Sequence, residues 1–238
     1  MARIELKVIE ARDETPTIRT VKLGLDGSEF AFKPGNYALF YLRLADGSEA
    51  SHAFSIARSP GAGDYLQFAT RKSESAFKQA FWQLREGMTV GVRGPLGKFF
   101  YEDSTEHAVM LSGGIGITPL KSMIEYAAAR QPGNRITLLF SNSSVQEIPF
   151  RKELDEIAAG NPDIKIVYTV SSLQPGEQWG GKTGRINEAM IREFVPDLGA
   201  ATYLICGPPG MVAGLTQTLG QMGVPSERIR IENFAGYE

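Results

Sequence analysis

The sequence predicts two domains: an antiparallel β-barrel, then an α/β domain with a doubly wound parallel sheet of order 3-2-1-4-5. Three observations predict this. The first hundred residues carry short alternating polar and apolar runs separated by turn formers. The rest alternates apolar strands with segments of helical period. Between them lies YEDSTEH, a polar stretch without a core pattern, which divides the chain into residues 1–102 and 103–238.

In the first half the alternating runs are RIELKVIEA from Arg3, TIRTVKLGL from Thr17, YALFYLRL from Tyr37, DYLQFATR from Asp64 and MTVGVRG from Met88. SHAFSIARSP, from Ser51, reads as a strand end with an aromatic and a hydroxyl on opposite faces. One helix interrupts the strands, ESAFKQAFWQLREG, with Phe77, Phe81 and Leu84 on one face, Ser75 as its N-cap and Gly87 as its stop. In the second half five apolar strands, HAVMLSG, NRITLLFSN, DIKIVYTVSS, TYLICGP and RIRIENF, are separated by four helical segments. Near-continuous apolar strands of this kind belong to a sheet covered on both faces. The turn-rich LQPGEQWGGKTG, Leu173 to Gly184, is the longest interruption of this half.

Composition narrows the chemistry. The 238 residues are 42% hydrophobic and 22% charged, as in ordinary folded domains. A formal net charge of −2 argues against a nucleic-acid-binding surface and for small-molecule or protein partners. The single cysteine, Cys206, excludes an internal disulfide, a multi-thiolate zinc site and a self-contained iron–sulfur cluster, which takes about four cysteines. No resident metal is expected. MARIELKVIEARDE lacks a hydrophobic signal core, and no apolar stretch reaches the roughly 18 residues of a membrane span. The expectation is a cytoplasmic protein without a membrane span.

Two glycine turns carry the functional signal. In HAVMLSGGIGITP a strand runs into Gly113, Gly114 and Gly116, with Thr118 as N-cap and Pro119 as first residue of the next helix. Glycines let a backbone approach a ligand closely, and a helix start offers free N–H groups to a phosphate. The loop lacks the Gly-Lys-Ser/Thr of a Walker site. It departs from the dinucleotide fingerprint too: Pro119 replaces the third glycine, and the second strand ends in Ser141-Asn142-Ser143-Ser144 rather than an acid. The second turn, CGPPGM, places Cys206, Gly207 and Pro208 at the end of the fourth strand. Strands one and four flank the switch point of such a sheet, so both turns line one crevice.

FKPGNY, SHAFSIARSP, GPLGKFF, GGIGITP, CGPPGM and the terminal IENFAGY occur in that order, and together they resemble the ferredoxin–NADP reductase superfamily over nearly the whole chain. The resemblance implies a flavin-binding barrel, with FAD expected and FMN the alternative, and a domain binding NADH or NADPH. The family's flavin motif Arg-x-Tyr-Ser is here His52-Ala53-Phe54-Ser55. By resemblance Phe54 lies against the isoalloxazine ring and the Ser55 hydroxyl approaches flavin N5. His52 replaces an arginine fork with an imidazole that makes single contacts. Arg71 and Lys72, before a helix start at Ser75, Ala76 and Phe77, match the family's flavin-phosphate turn. Gly113, Gly114, Gly116 and Thr118 match its pyrophosphate turn, and Ser141 and Asn142 end the neighbouring strand. Cys206, with Gly207 and Pro208, matches the cysteine beside the nicotinamide. Glu232 matches the carboxylate close to the flavin, while Phe234 or Tyr237 shields the ring. Ser143 stands where members that prefer the 2′-phosphate carry arginine, which favours NADH.

The implied activity is hydride transfer from nicotinamide to flavin, with electrons leaving to an external acceptor such as ferredoxin, flavodoxin or an oxygenase component. Ser55, Cys206 and Glu232 are its expected catalytic residues. Two alternatives stand beside it: a reductase of dissociable flavin, and a non-catalytic nucleotide-binding subunit of a redox complex.

Overall fold

The computed structural model describes residues 2–130, 133–173 and 176–234. In its first half, β1 (Ile4–Thr15), β2 (Ile18–Gly24), β3 (Tyr37–Arg43), β4 (Glu49–Ser55), β5 (Tyr65–Arg71) and β6 (Thr89–Leu96) form one antiparallel sheet. Its order is β4-β3-β6-β1-β2-β5. The edges meet just past β4, where the Ala57 N–H donates to the Gln67 carbonyl of β5 at 2.8 Å, so the sheet curls into a barrel. Helix α1 (Ala76–Trp82) covers one end of its interior. Phe40 is the hub, with ring centroids 5.3 Å from Phe68, 5.4 Å from Phe81 and 5.9 Å from Phe54. The helix is shorter than its sequence pattern predicts, ending at Trp82, yet Leu84 is buried in the following turn. Ser75 takes the N-cap position without a side-chain cap bond.

The second half contains β7 (His107–Gly113), α2 (Ile117–Arg130), β8 (Arg135–Asn142), α3 (Arg151–Gly160), β9 (Ile164–Val170), β10 (Lys182–Thr183), α4 (Glu188–Phe194), β11 (Thr202–Gly207), α5 (Pro209–Gln221) and β12 (Ile229–Asn233). All pairings are parallel, in the order β10-β9-β8-β7-β11-β12. The five long strands therefore follow 3-2-1-4-5, and the two-residue β10 adds an edge inside the long loop.

Strand pleating explains the layers. Along β7, Ala108 and Met110 face one core with Leu120, Met123 and Ile124 of α2 and Leu154 of α3. Val109 and Leu111 face the other core with Ile191 of α4 and Val212 and Leu215 of α5. The α2 core also takes in Ile18, Ala57 and Ala69 from the barrel, so that helix is packed between the two sheets. Among the described residues no helix is long and apolar enough to cross a membrane.

Candidate active site at the carboxyl edge of the parallel sheet

A cavity of about 710 Å³ opens at the carboxyl ends of β7, β8 and β11. Gly113, Gly114, Gly116, Ser141, Asn142, Gly207, Pro208 and Phe234 line it. The glycines fit a backbone cradle. A Cβ on Gly116 would lie 2.4 Å from the Cys206 carbonyl oxygen and 2.6 Å from the Gly207 Cα, so the two turns touch backbone to backbone. Gly114 has φ +53°, the left-handed conformation that glycine adopts without strain. The Asn142 side chain is buried, yet its amide oxygen and nitrogen have no hydrogen-bond partner among the described residues. A buried amide left unmatched at a cavity wall fits a ligand that completes it. The volume also lies within the range of small-molecule and cofactor sites.

Two predicted residues sit elsewhere. Thr118 is not the N-cap: a single 3₁₀ turn over Gly114–Gly116 precedes α2, and Thr118 lies inside the helix, its hydroxyl donating to the Ile115 carbonyl at 3.1 Å. Cys206 is fully buried in the core under α2. Burial, and then the Glu232 carboxylate, push its thiol well above the ordinary range, so it is no thiolate at neutral pH. The cavity meets the backbone of this turn, and the thiol packs behind it.

Glu232 lies beside Cys206 in the β11–β12 register and is half-buried, which raises its carboxyl above the usual range. A carboxyl whose folded pKa exceeds its unfolded value costs stability once the unfolded chain ionises, and the full cost is present above the folded pKa. Glu232→Gln is expected to raise the melting temperature at pH 7 and leave it near wild type at pH 4. An equal offset at both values would contradict this assignment.

At the barrel end, Ser55 is buried and Ala53 exposed. Phe54 departs from its predicted place. Only 3% of it is exposed, and its ring packs on Phe40, Phe77 and Phe81 inside the barrel. Without a tyrosine hydroxyl to solvate, the side chain buries completely. The exposed His52 holds its ring centroid 4.9 Å from Phe77 at a tilted angle of 52°; partial desolvation, and then Lys78, lower its pKa, so the imidazole is neutral at pH 7. Ser75 and Ala76 are exposed at the start of α1.

The basic pair separates. Lys72 places its ammonium 5.3 Å from the Trp82 ring, away from the cavity. Arg71 turns toward the glycine loop and lines the cavity, with Nη2 3.2 Å from where a Gly114 Cβ would stand. Its Nη1 donates to the Thr17 hydroxyl at 3.0 Å, and Thr15 and Thr17 donate to Glu147 at 3.0 and 2.5 Å. Tyr237 lies outside the described residues.

Sequence reasoning missed Lys78, Arg185 and Met211. Lys78 is 3% exposed on the otherwise apolar face of α1; burial, and then Arg71, lower its pKa. Lys78 thus lies near the neutral His52 and near Arg71, whose guanidinium also pairs with Glu147 at 3.8 Å. A lysine directly after Phe77 on a buried face was the available signal. Arg185 lines the cavity because β10 returns the long loop to the sheet, where the Gly184 N–H donates to the Val170 carbonyl at 2.8 Å. Met211 covers Gly113, where a Cβ would meet its sulfur at 2.4 Å.

Known proteins share this arrangement. Residues 5–101 match the oxidoreductase FAD-binding domain family and residues 110–217 the oxidoreductase NAD-binding domain family. The phenol hydroxylase P5 protein of Acinetobacter pittii is 29% identical over 230 residues, 95% of this chain and 64% of that protein. NADH-cytochrome b5 reductase 1 of Eremothecium gossypii is 31% identical over 186 residues, 76% of this chain and 65% of that protein. The chain thus spans somewhat less than two thirds of these relatives. A crystal structure of a ferredoxin NADP+ reductase from Neisseria gonorrhoeae with bound FAD and NADP superposes with a TM-score of 0.84, at 22% identity, covering 98% of this chain and 99% of that one. With an FAD-binding barrel joined to an NAD-binding doubly wound domain, the chain belongs to the ferredoxin–NADP reductase superfamily of flavoprotein oxidoreductases.

Proposed function

We propose that this chain oxidises NADH or NADPH at the cavity between its glycine turns and passes the electrons, by way of FAD held on residues 1–102, to an external redox protein in the cytoplasm. Residues 103–238 serve as the nucleotide domain. The observation that carries the reading is the cavity itself: two glycine turns in backbone contact, a buried Asn142 amide unmatched among the described residues, and the Arg71 guanidinium of the barrel beside the loop. When bound, the flavin supplies an acceptor for hydride and a store that releases electrons singly or in pairs.

The protein's own part is binding and orientation. Gly113, Gly114 and Gly116 bring main-chain N–H groups to the nucleotide's pyrophosphate, with the Arg71 guanidinium beside them. Asn142 and Ser141 meet its adenosine end. Lys78 and His52 hold the flavin's diphosphate, Lys78 taking the part of the arginine that the motif lacks. The Ser55 hydroxyl would meet the flavin at its reacting edge. Glu232 and Phe234 close the crevice from β12.

The direct test is anaerobic titration of the purified protein with NADH and, separately, NADPH, following flavin absorbance. Bleaching by NADH at lower concentration than NADPH is expected, since Ser143 offers a hydroxyl where a 2′-phosphate wants a guanidinium. Bound flavin that neither nucleotide bleaches would leave a nucleotide-binding subunit. A protein purified colourless that reduces added flavin would be a reductase of free flavin. Ferredoxin, flavodoxin and cytochrome b5, added in turn to the reduced protein, then identify the class of acceptor.

A further inference from the structure

Lys121 lies in α2 with no accessible side-chain surface. A buried ammonium is costly unless each of its three N–H groups finds an acceptor. Here Nζ donates to the Ala57 carbonyl at 3.0 Å and the Glu125 carboxylate at 2.5 Å, and pairs with Glu153 at 2.8 Å. The Phe150 ring lies 5.1 Å away. Glu125 and Glu153 share the α/β half with Lys121, whereas Ala57 belongs to the barrel, so the ammonium spans the boundary. Glu153 continues the chain of charge by accepting from Arg12 of β1 at 3.0 Å.

Two neighbours of Lys121 on α2 hold the same barrel segment. The Ser122 hydroxyl donates to the Arg58 carbonyl at 2.7 Å, and the Ser59 N–H donates to Glu125 at 2.8 Å. Residues 57, 58 and 59 are thus held in turn by one face of one helix. That segment begins two residues after Ser55, and α2 begins directly after Gly116. From Ile117 to Lys121 the helix advances only about 6 Å. A single rigid element therefore joins the glycine loop to the strand end that presents Ser55. Apolar packing alone is non-directional and would let the halves slide, whereas hydrogen bonds from one ammonium to acceptors on both sides fix an offset.

We propose that Lys121 is a positioning residue for hydride transfer: its ammonium fixes the offset between the nucleotide loop and Ser55, and with it the approach of nicotinamide to flavin. The proposal rests on the function argued in the preceding section. Because the side chain touches neither ring, its loss should act on the rate within the complex and leave binding alone.

The test uses the flavin-loaded protein and its Lys121→Met and Glu125→Gln variants in anaerobic stopped-flow reduction by NADH and NADPH. Methionine keeps the length and removes the charge. Lys121 and Ser59 donate to different oxygens of Glu125, and glutamine presents an oxygen at only one of those two positions. The limiting rate of flavin bleaching is expected to fall about tenfold or more in Lys121→Met and about threefold in Glu125→Gln, with nucleotide Kd and bound-flavin spectrum near wild type. If Lys121→Met does not fold, Glu125→Gln decides on the same readout. An unchanged limiting rate in the folded variants, with only melting temperature or flavin content lowered, overturns the proposal and leaves a purely structural lysine. A loss confined to Kd overturns it equally. A wild type that neither nucleotide bleaches overturns the underlying function and this proposal with it, whereas bleaching of wild type and variants at one rate overturns the proposal alone.

Discussion

Gly116→Val is expected to slow nicotinamide-driven reduction of the flavin by about a hundredfold or more, while the barrel stays flavin-loaded. The added Cβ would stand 2.4 Å from the Cys206 carbonyl oxygen, 2.6 Å from the Gly207 Cα and 2.7 Å from the Cys206 carbonyl carbon. All three are main-chain atoms of β11, which is held between β7 and β12 and cannot step aside. The loop must therefore rise off the second turn, which shifts the floor of the cavity by an ångström or so. Overpacking of this kind also lowers stability by about 1–3 kcal/mol. Gly114→Ala is the contrasting case. Its φ of +53° costs an alanine about 1–2 kcal/mol, but the nearest atom is the free end of the Arg71 guanidinium, which yields. The two variants separate steric closure of the crevice from backbone strain. Stopped-flow reduction measures both, and a Gly116→Val protein that bleaches at the wild-type rate would remove the crevice from the reaction.

Lys78→Met is expected to weaken FAD binding by about tenfold to a hundredfold, the worth of one charge-assisted hydrogen bond to a phosphate. The lysine is 3% exposed, close enough to Arg71 for the guanidinium to lower its pKa and close enough to His52 to lower that of the imidazole. Neither neighbour can replace it, because Arg71 is turned to the glycine loop and His52 is neutral. Methionine fills the same space on α1 and removes the charge. Equilibrium dialysis of FAD against the flavin-free protein gives the ratio. An unchanged Kd would show that the diphosphate lies elsewhere, with Lys72 and the exposed start of α1 the next place to look. FMN binding serves as a control, since it carries a single phosphate and should respond differently.

The corrections share one cause. Thr118 and Cys206 both stand beside glycine turns that do line the cavity, and that place together with the family resemblance made them candidates. Which atoms of a turn face the ligand is decided by pleat and helix phase, which put the Thr118 hydroxyl on the Ile115 carbonyl and the Cys206 thiol in the core. Phe54 sits in the motif position of a ring-stacking tyrosine, yet the aromatic cluster of Phe40, Phe77 and Phe81 takes it inward. Arg71 and Lys72 read as a pair, but successive residues at the end of a strand point to opposite faces, so one reaches the glycine loop and the other Trp82.

The sequence by itself determined the two-part architecture, the alternation of strands and helices in the second part and the two glycine turns, because these rest on local periodicity and on backbone freedom that neighbouring residues alone decide. Only the tertiary structure decided which charges meet. Lys121 finds its carbonyl acceptor 64 residues away in the chain, Arg71 reaches across to Gly114, and Arg185 enters the cavity through the short edge strand β10. Such contacts depend on how two separately patterned cores are docked, and nothing in local period or spacing encodes that docking.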